Sequence, residues 1–394
     1  MPTFGRVMRA HWPLDPGVTY LNHGTVGVTP IRVLAAQQAI RDEIERQPSA
    51  FMLREMSNWV GGPRDRPTRI RAAADIVARF IGARGPDVVF VDNATAGANA
   101  VLRSFHLAPG DEILATDFGY GAVTNAARFA ARERGATVRV VTLPYPDYDE
   151  ARAVETVERA IGSATKLAVV DHVAAETAIV LPLAEIAARC QARGVPVLAD
   201  GAHAPGQIAL DVPSLGVDWY TGNLHKWAHA PRSSGLLWAH PDRQASLHPP
   251  VISWGLDQGF TAEFDWVGTR DPSPWLAAPA GIAFLEEMGF DEIRRYCHGL
   301  AWRSAHRLAA AWGTDFTIPE SAVGSMATVP LPASLGSTPE AARTLRDHLL
   351  FDDYIEVQLH ASHGRLWVRI SAQIYNDNDD VQRLEQAVLG VKGA

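Results

Sequence analysis

The stretch Val195-Pro196-Val197-Leu198-Ala199-Asp200-Gly201-Ala202-His203-Ala204-Pro205-Gly206 joins a short apolar run to a carboxylate and a string of small residues. Such a run predicts a buried strand, and Asp200 would stand at its carboxyl end. Open α/β sheets bind ligands in the crevice at that end of their strands. The small residues after Asp200 would let a flat ligand approach closely, although an aspartate that caps a helix is the alternative interpretation.

Apolar runs alternate with helix-like segments on both sides of this stretch. This alternation is typical of βαβ units and predicts an α/β fold with a mainly parallel sheet, covered on both faces. Two further runs, Val217–Tyr220 and Gly235–Trp238, would bring the sheet to seven strands. The other predicted strands are Asp87–Val91, Glu112–Ala115, Thr137–Leu143, Leu167–Val170 and Val195–Ala199, and the predicted helices are Pro30–Arg46, Thr68–Ile81, Ala96–Phe105, Ala122–Arg132, Ala151–Ile161 and Leu183–Arg193.

The character of the sequence changes after Asp271, where Pro272–Pro279 forms a proline-rich junction. We therefore divide the chain into an N-terminal arm (1–20), a large domain (21–271) and a smaller C-terminal α/β domain (272–394). The small domain is predicted to contain a helical region from Ala280 to about Trp312, strand-like runs at Ala327–Val329, Ile355–Leu359 and Leu366–Ile370, a helix at Pro339–Leu350 and a final helix from Asp379.

Composition excludes several classes of protein. The 394 residues are 47% apolar and 20% charged, which suits a core-rich globular chain, and the formal charge of −8 argues against nucleic-acid binding through bulk charge. No apolar run approaches the ~20 residues of a membrane span, and the start of the chain lacks a signal-peptide pattern. Two cysteines, Cys190 and Cys297, form neither a disulfide framework nor a cysteine-rich zinc site. We expect a cytoplasmic enzyme without a metal and without membrane or nucleic-acid partners.

Lysine is rare in this chain. Only Lys166, Lys226 and Lys392 are lysines among 36 basic residues, and the other 33 are arginines, a ratio that biased genome composition explains. Arginine can neither form an imine nor lose its proton at working pH, so the lysines mark where an amine is available. Lys166 and Lys392 are interpreted as surface groups. Lys226 lies in the stretch Thr221–Trp227, which is otherwise without charge. Desolvation there would lower the pKa of Lys226 and make it a nucleophile toward carbonyls.

A third feature is the segment Asp92–Gly97, between a predicted strand and a predicted helix. The backbone N–H groups at the helix start and the hydroxyl of Thr95 would suit a phosphate, although the segment alone also fits an ordinary helix cap. It matches neither a P-loop nor the dinucleotide fingerprint, which argues against a nicotinamide-dependent dehydrogenase. Together with Asp200 and Lys226, the segment fits an aldehyde that is a phosphate ester with a basic ring nitrogen, pyridoxal 5'-phosphate.

The sequence resembles the class V aminotransferase family of fold type I pyridoxal-phosphate enzymes, and within it the isopenicillin N epimerase-like branch. The matching motifs run in family order over most of the chain: Tyr20–Gly24, Asn93–Gly97, Asp117–Ala122, Asp200–Gly206, Tyr220–Trp227 and Gly268–Asp271.

The resemblance implies a role for each matching residue. Lys226 would form the Schiff base with the cofactor and move protons at Cα, Asp200 would pair with the pyridine nitrogen, and His203 would contact the ring hydroxyl. Tyr120 would stack on the ring, where many relatives have histidine. The resemblance assigns the phosphate to Ala94, Thr95, Ala96, Asn223 and His225, and to Thr269 across the interface of a homodimer with a shared site.

Four residues are candidates for substrate binding. Arg369 matches the family arginine whose planar guanidinium clamps the substrate carboxylate, and a surface charge after a strand is its alternative interpretation. Glu176 stands where relatives often have Asn or Pro, either as a second acid–base group or as a solvated loop residue. Asn22 and His23 would face the substrate, unless their segment simply packs against a partner subunit. Trp227, Trp254 and Trp266 suggest an apolar side-chain pocket, or else belong to the core and interface.

The family covers several reactions that proceed through an external aldimine, most of them with Cα deprotonation. We expect an epimerase or racemase acting on a small amino acid, with a cysteine or cystine C–S lyase or an aminotransferase as the alternative. Persulfide-forming desulfuration requires a cysteine on a mobile loop, and the corresponding segment Ile318–Ser337 contains none. A non-catalytic binding module of the same fold is a further alternative, although Lys226 and Asp200 are both present.

Overall fold

The computed structural model describes residues 3–57, 61 and 65–391, so Lys392 and its predicted surface position lie outside the described residues. The strands are β1 (Thr19–Tyr20), β2 (Val88–Val91), β3 (Glu112–Thr116), β4 (Thr137–Val141), β5 (Thr165–Asp171), β6 (Val197–Gly201), β7 (Trp219–Asn223), β8 (Gly235–Ala239), β9 (Met326–Pro330), β10 (Ile355–Glu356), β11 (Gln358–Ser362) and β12 (Arg365–Ser371).

Helices alternate with these strands through most of the chain. They are α1 (His23–Val26), α2 (Ile31–Arg46), α3 (Pro48–Ala50), α4 (Arg69–Phe80), α5 (Ala94–Ser104), α6 (Gly121–Arg132), α7 (Glu150–Ala160), α8 (Leu183–Gln191), α9 (Phe260–Asp265), α10 (Ser273–Leu276), α11 (Ala278–Met288), α12 (Phe290–Trp312), α13 (Pro339–Phe351) and α14 (Asn378–Gly390).

The central sheet has seven strands in the order β2-β8-β7-β6-β5-β3-β4. All neighbouring pairs are parallel except those that involve β8, which runs antiparallel to β2 and to β7. The expected mainly parallel, seven-stranded α/β sheet is thereby confirmed. Strands β6 and β7, at the centre of the sheet, are buried along their whole length because apolar clusters cover both faces of the sheet.

Helix α5 begins at Ala94, two residues before the predicted start at Ala96, beside the carboxyl ends of the central strands. The side chain of Asn93 caps the helix by accepting a hydrogen bond from the N–H of Ala96 at 2.9 Å. One turn later, a Cβ at Gly97 would lie 2.1 Å from Oγ1 of Thr221 on β7. Glycine at this position therefore lets the helix approach β7 closely, which brings the start of α5 next to the end of that strand.

A second, antiparallel sheet of three strands, in the order β11-β12-β9, forms the core of the C-terminal region. The predicted run Ile355–Leu359 proves to be two strands, since β10 pairs with β1 near the N-terminus while β11 pairs with β12. The predicted helical region from Ala280 to Trp312 is likewise two helices. They separate at Gly289, whose φ of +84° is readily adopted only by glycine.

The N-terminal segment joins the two parts of the chain. Beyond the β1–β10 pairing, the N–H of Gly5 donates to the carbonyl of Ile374, and Asn22 forms a bridge to Ser371 at the end of β12. The carboxyl ends of β5, β6 and β7 and the strand pair β11–β12 border one crevice. The domain limits at residues 20 and 271 remain predictions. Within the described ranges, no helix is both long enough and apolar enough to cross a membrane.

Candidate active site

Two connected cavities occupy this crevice. The inner cavity, about 360 Å³, lies at the ends of β5, β6 and β7 beside the start of α5, and the outer cavity, about 660 Å³, extends toward β11 and β12. Both are lined by Thr25, Tyr120, Ala175, His203 and Lys226. The inner cavity adds Ala94, Thr95, Asp171, Asp200, Asn223 and His225, and the outer cavity adds Asp117, Glu176, Gln358, His360, His363 and Arg369.

The amine of Lys226 stands where the two cavities meet. Its Nζ lies 3.0 Å from Nε2 of His203. Burial, followed by the charge of Arg369, lowers the pKa of Lys226 to about 7, against the opposing pull of nearby carboxylates. A substantial fraction of this amine is therefore unprotonated near neutral pH, which is the nucleophilic form.

Asp200 and His203 each leave a polar atom without a partner in the inner cavity. Oδ1 of Asp200 accepts a hydrogen bond from the N–H of Ala202 at 3.0 Å, whereas its Oδ2 and Nδ1 of His203 are buried and have no partner within the part of the chain that the structure describes. Burial lowers the pKa of His203 far below the usual value, so its ring is neutral. Unpaired buried polar atoms are costly, and here they point to a ligand with complementary groups.

The loop that follows Asp200 packs tightly against the loop that carries Lys226. Gly206 has a φ of +92°, and a Cβ there would lie 2.3 Å from the carbonyl oxygen of Trp227. Glycine at position 206 thus permits the contact that sets Asp200 and Lys226 on neighbouring walls of one cavity.

The groups predicted to hold a phosphate gather at the start of α5. The N–H of Ala94 donates to Oδ1 of Asn223 at 2.8 Å, and Thr95 and His225 line the same wall. The ring of His225 donates from Nδ1 to the carbonyl of Ser234 at 2.9 Å, which leaves Nε2 as an acceptor, and burial lowers its pKa to about 4. Ala96 does not line the cavity, and its N–H donates to the capping side chain of Asn93.

These observations test whether the inner cavity fits pyridoxal 5'-phosphate. The cavity offers a desolvated amine for the aldehyde, an unpartnered carboxylate oxygen for the ring nitrogen, a helix start for the phosphate and Tyr120 for the ring. The residues present fit this group.

Arg369 projects from β12 into the outer cavity. Its Nη1 donates to the carbonyl of Ala175, and its Nη2 donates to Oγ1 of Thr25 at 2.8 Å and to Oδ1 of Asn22 at 3.3 Å. Its Nε is buried and has no partner among residues 3–57, 61 and 65–391. Burial lowers the pKa of Arg369 only to about 10, so the guanidinium is charged at neutral pH and can bind a carboxylate.

Asn22 and His23 lie outside both cavities. Asn22 contacts Arg369 and also donates from Nδ2 to Glu356 at 2.7 Å, so it orients the guanidinium rather than lining the cavity. His23 is fully buried behind Lys226, with one ring nitrogen on the Lys226 carbonyl and the other on Tyr375. The expectation that these two residues face the substrate cavity does not match their positions.

Of two other predicted site residues, Glu176 lines the outer cavity and Thr269 lines neither cavity. Glu176 is exposed on the wall of the outer cavity, and its carbonyl oxygen accepts a hydrogen bond from Thr328 at 2.6 Å. Thr269 is exposed and lines neither cavity within this chain, so its predicted contact across a dimer interface remains a prediction.

The apolar pocket suggested by three tryptophans is not found at the site. Trp227 and Trp266 are buried in the core, and Trp254 is 69% exposed. None of the three lines either cavity. The outer cavity is instead lined by carboxylate, imidazole, amide and guanidinium groups together with small residues and the rings of Phe118 and Tyr120.

Sequence reasoning missed several polar residues of the site. Asp171, the last residue of β5, lines the inner cavity, and Gln358 and His360 of β11 line the outer one. His172 and Tyr220 form a buried pair behind Asp200, with Nδ1 of the histidine 2.9 Å from the tyrosine hydroxyl. The sequence contained a signal for one of these residues, because Asp171 follows an apolar strand run in the same way as Asp200 does.

Comparisons with known proteins give the family and the fold. The Aminotransferase class-V family model matches residues 65–384. The chain is 32% identical to isopenicillin N epimerase of Amycolatopsis lactamdurans over 95% of each protein, and 30% identical to L-cysteine desulfhydrase of Arabidopsis thaliana over 94% of this chain and 87% of that protein. A solved C-DES mutant, with glycine covalently linked to its PLP cofactor, has the same fold, with a TM-score of 0.80 and 22% identity over 98% of this chain and 99% of that one.

Proposed function

The chain belongs to the class-V aminotransferase family, and we propose that this pyridoxal 5'-phosphate-dependent enzyme is a C–S lyase that removes the Cα proton of a cysteine-type L-amino acid. Bound in the inner cavity, the cofactor would supply an electron sink for bonds broken at Cα. Asp200, His203, Tyr120 and Lys226, together with the start of α5, would hold it there.

Arg369 and Lys226 have complementary tasks in this proposal. The guanidinium would bind the α-carboxylate through its positive charge and through Nε, which has no hydrogen-bond partner among the described residues. Lys226, unprotonated in part because its pKa is about 7, would accept the Cα proton at Nζ. Elimination of the sulfur substituent then needs one well-placed base. With cysteine as the substrate, the overall reaction converts cysteine and water to pyruvate, ammonia and hydrogen sulfide.

The single observation that carries this choice is the position of His23. Epimerisation by two groups requires a second proton donor opposite Lys226. The two predicted substrate-binding residues whose side chains can exchange a proton in this way are His23 and Glu176. His23 is buried outside the cavities with both ring nitrogens hydrogen-bonded, so it delivers no proton to a substrate. Lys226 alone meets the needs of C–S lysis, and relatives with desulfhydrase names support this order.

Epimerisation is the second candidate, because Glu176 stands on the wall of the outer cavity. Relatives named isopenicillin N epimerase support it as well. Persulfide-forming desulfuration is not proposed. Cys190 and Cys297 lie buried in α8 and α12, and burial raises the pKa of the Cys190 thiol to about 12 and that of Cys297 higher still.

The size of the outer cavity bears on the choice of substrates to test. Its volume of about 660 Å³ falls in the range that encloses drug-sized ligands. The substrate panel should therefore include cystine and S-substituted cysteines beside cysteine and the other L-amino acids.

Mass spectrometry of products formed in heavy water tests the proposal. Pyruvate with released sulfide or thiol, and no D-isomer, is the expected result for wild type and for Glu176→Gln. Deuterium at Cα with an intact side chain, in mixed D and L product that Glu176→Gln abolishes, would establish epimerisation instead. The proposed homodimer is tested separately by mass measurement in solution.

A further inference from the structure

A second carboxylate stands beside Asp200 in the inner cavity. Asp171 ends β5, Asp200 lies on β6, and the two residues are direct partners in the parallel register. Partnered residues on adjacent strands project to the same face of a sheet, and both carboxylates line the inner cavity with Lys226. Asp171 is 3% exposed and Asp200 2% exposed. Water therefore screens neither of them effectively.

The surroundings of this pair carry too little positive charge for two anions. Lys226, on the loop after β7, faces the pair with an amine whose charge is itself reduced by burial. His203 and His225, from the loops after β6 and β7, are neutral because burial lowers their pKa values. Arg369 acts on Lys226 from the outer cavity, where Ala175, Thr25 and Asn22 hold it.

The two carboxylates differ in their hydrogen bonds. Asp200 accepts from the N–H of Ala202 and has one free oxygen, and Asp171 accepts from the backbone N–H of Tyr120 at the start of α6. Burial and then the neighbouring charge of Asp200 raise the pKa of Asp171 well above the usual value, and the raised pKa of Asp200 has burial as its first cause. Like charges side by side in a buried site do not both ionise.

We propose that Asp171 is a positioning residue that holds a proton at neutral pH, so that the pair presents one negative charge, on Asp200, to the ring nitrogen of the cofactor. The inference rests on the proposed cofactor site and adds a residue to it. With Asp171 neutral, the single negative charge of Asp200 balances the single positive charge of the protonated ring nitrogen. An ionised Asp171 would add a second negative charge near Lys226 and hold its amine in the protonated form.

Infrared spectroscopy of the apoenzyme tests the protonation of Asp171 without cofactor or turnover. At pH 8, wild type should show the carbonyl stretch of a buried protonated carboxylic acid, and Asp171→Asn should lack it. The matched control is Asp265→Asn, which removes a partly buried carboxylate that is ion-paired with Arg71 at 2.7 Å. Because burial raises the pKa of Asp265 only to about 6, this control should retain the band.

A second measurement follows the amine of Lys226. The pH dependence of cofactor capture by the apoenzyme reports its deprotonation, and Asp171→Asn should leave the inflection where wild type has it. A shift of the inflection to lower pH, with no infrared band lost, would show that Asp171 is ionised and would overturn the inference. If Asp171→Asn fails to fold, Asp171→Ser or carboxyl carbon resonances of aspartate in wild type give the same answer. Failure of C–S lysis in the product assay would leave these apoenzyme results unchanged, so the two proposals fail separately.

Discussion

Nε2 of His23 lies 3.0 Å from the carbonyl oxygen of Lys226, and Nδ1 of the same ring lies 2.9 Å from the hydroxyl of Tyr375. A carbonyl only accepts, so Nε2 carries the proton and Nδ1 accepts from the tyrosine. Burial lowers the pKa of His23 to about 4, which keeps this neutral tautomer at working pH. His23 therefore ties the loop of the reactive lysine to the segment after β12.

Replacing His23 by Phe is expected to destabilise the protein. The substitution leaves the Lys226 carbonyl and the Tyr375 hydroxyl buried without partners, at about 1–3 kcal/mol each. Urea denaturation measures the change in the free energy of unfolding. Tyr375→Phe, which keeps the contact with Lys226, should lose less, and wild-type stability in His23→Phe would contradict the assignment.

Lys226→Ala should abolish covalent attachment of the cofactor and reduce turnover by ~10²–10⁴-fold, the usual contribution of a positioned acid–base group. Borohydride reduction followed by peptide mass spectrometry locates the attached lysine. Lys166→Ala is the matched control, because Lys166 is exposed and donates to the nearby carbonyl of Ser163 at 3.1 Å. Attachment that survives in Lys226→Ala would disprove the assignment of this residue.

The charge of Arg369 is expected to set part of the ionisation of Lys226. In wild type, cofactor capture by the apoenzyme should rise with pH through about 7, as the ammonium of Lys226 loses its proton. Arg369→Met removes the cation that lowers this pKa, so the inflection should move to higher pH. It should remain below the usual lysine value because burial persists. Arg369→Lys keeps the charge and should keep the inflection, and an unmoved inflection in Arg369→Met would refute the coupling.

Arg369→Ala should also raise KM for amino-acid substrates. A hydrogen bond to a charged group is worth about 1.5–3 kcal/mol, which corresponds to roughly 10–150-fold. The amide of the same amino acid, which lacks the carboxylate, should lose much less in steady-state assays. Equal losses for acid and amide would show that the guanidinium does not clamp the carboxylate.

Asn22→Ala should have a smaller effect of the same kind. Asn22 lines neither cavity and contacts the guanidinium through Oδ1, 3.3 Å from Nη2, while Thr25 and Ala175 keep their bonds to it. We expect a rise in KM with little change in kcat. A fall in kcat alone would place Asn22 in the chemical step instead.

Much of the site is encoded locally in the sequence. Strand runs that end in Asp200 and in the segment of Lys226 lie near the start of α5 because parallel strands collect their carboxyl ends at one edge of the sheet. The expected family, the α/β class and the cofactor follow from these motifs, and the family match confirms that resemblance.

Tertiary structure decided what each remaining side chain faces. In the sequence, Asp171 has the position of a residue at the end of an ordinary core strand. The register between β5 and β6 is what places it beside Asp200. Arg369 is one of 33 arginines in the sequence, and its position on β12 is what places it in the wall of the outer cavity. His23, which was expected to face the substrate, instead contacts the backbone carbonyl of Lys226. Periodicity in a sequence specifies which residues are buried, whereas register and packing between distant segments specify which buried residues meet.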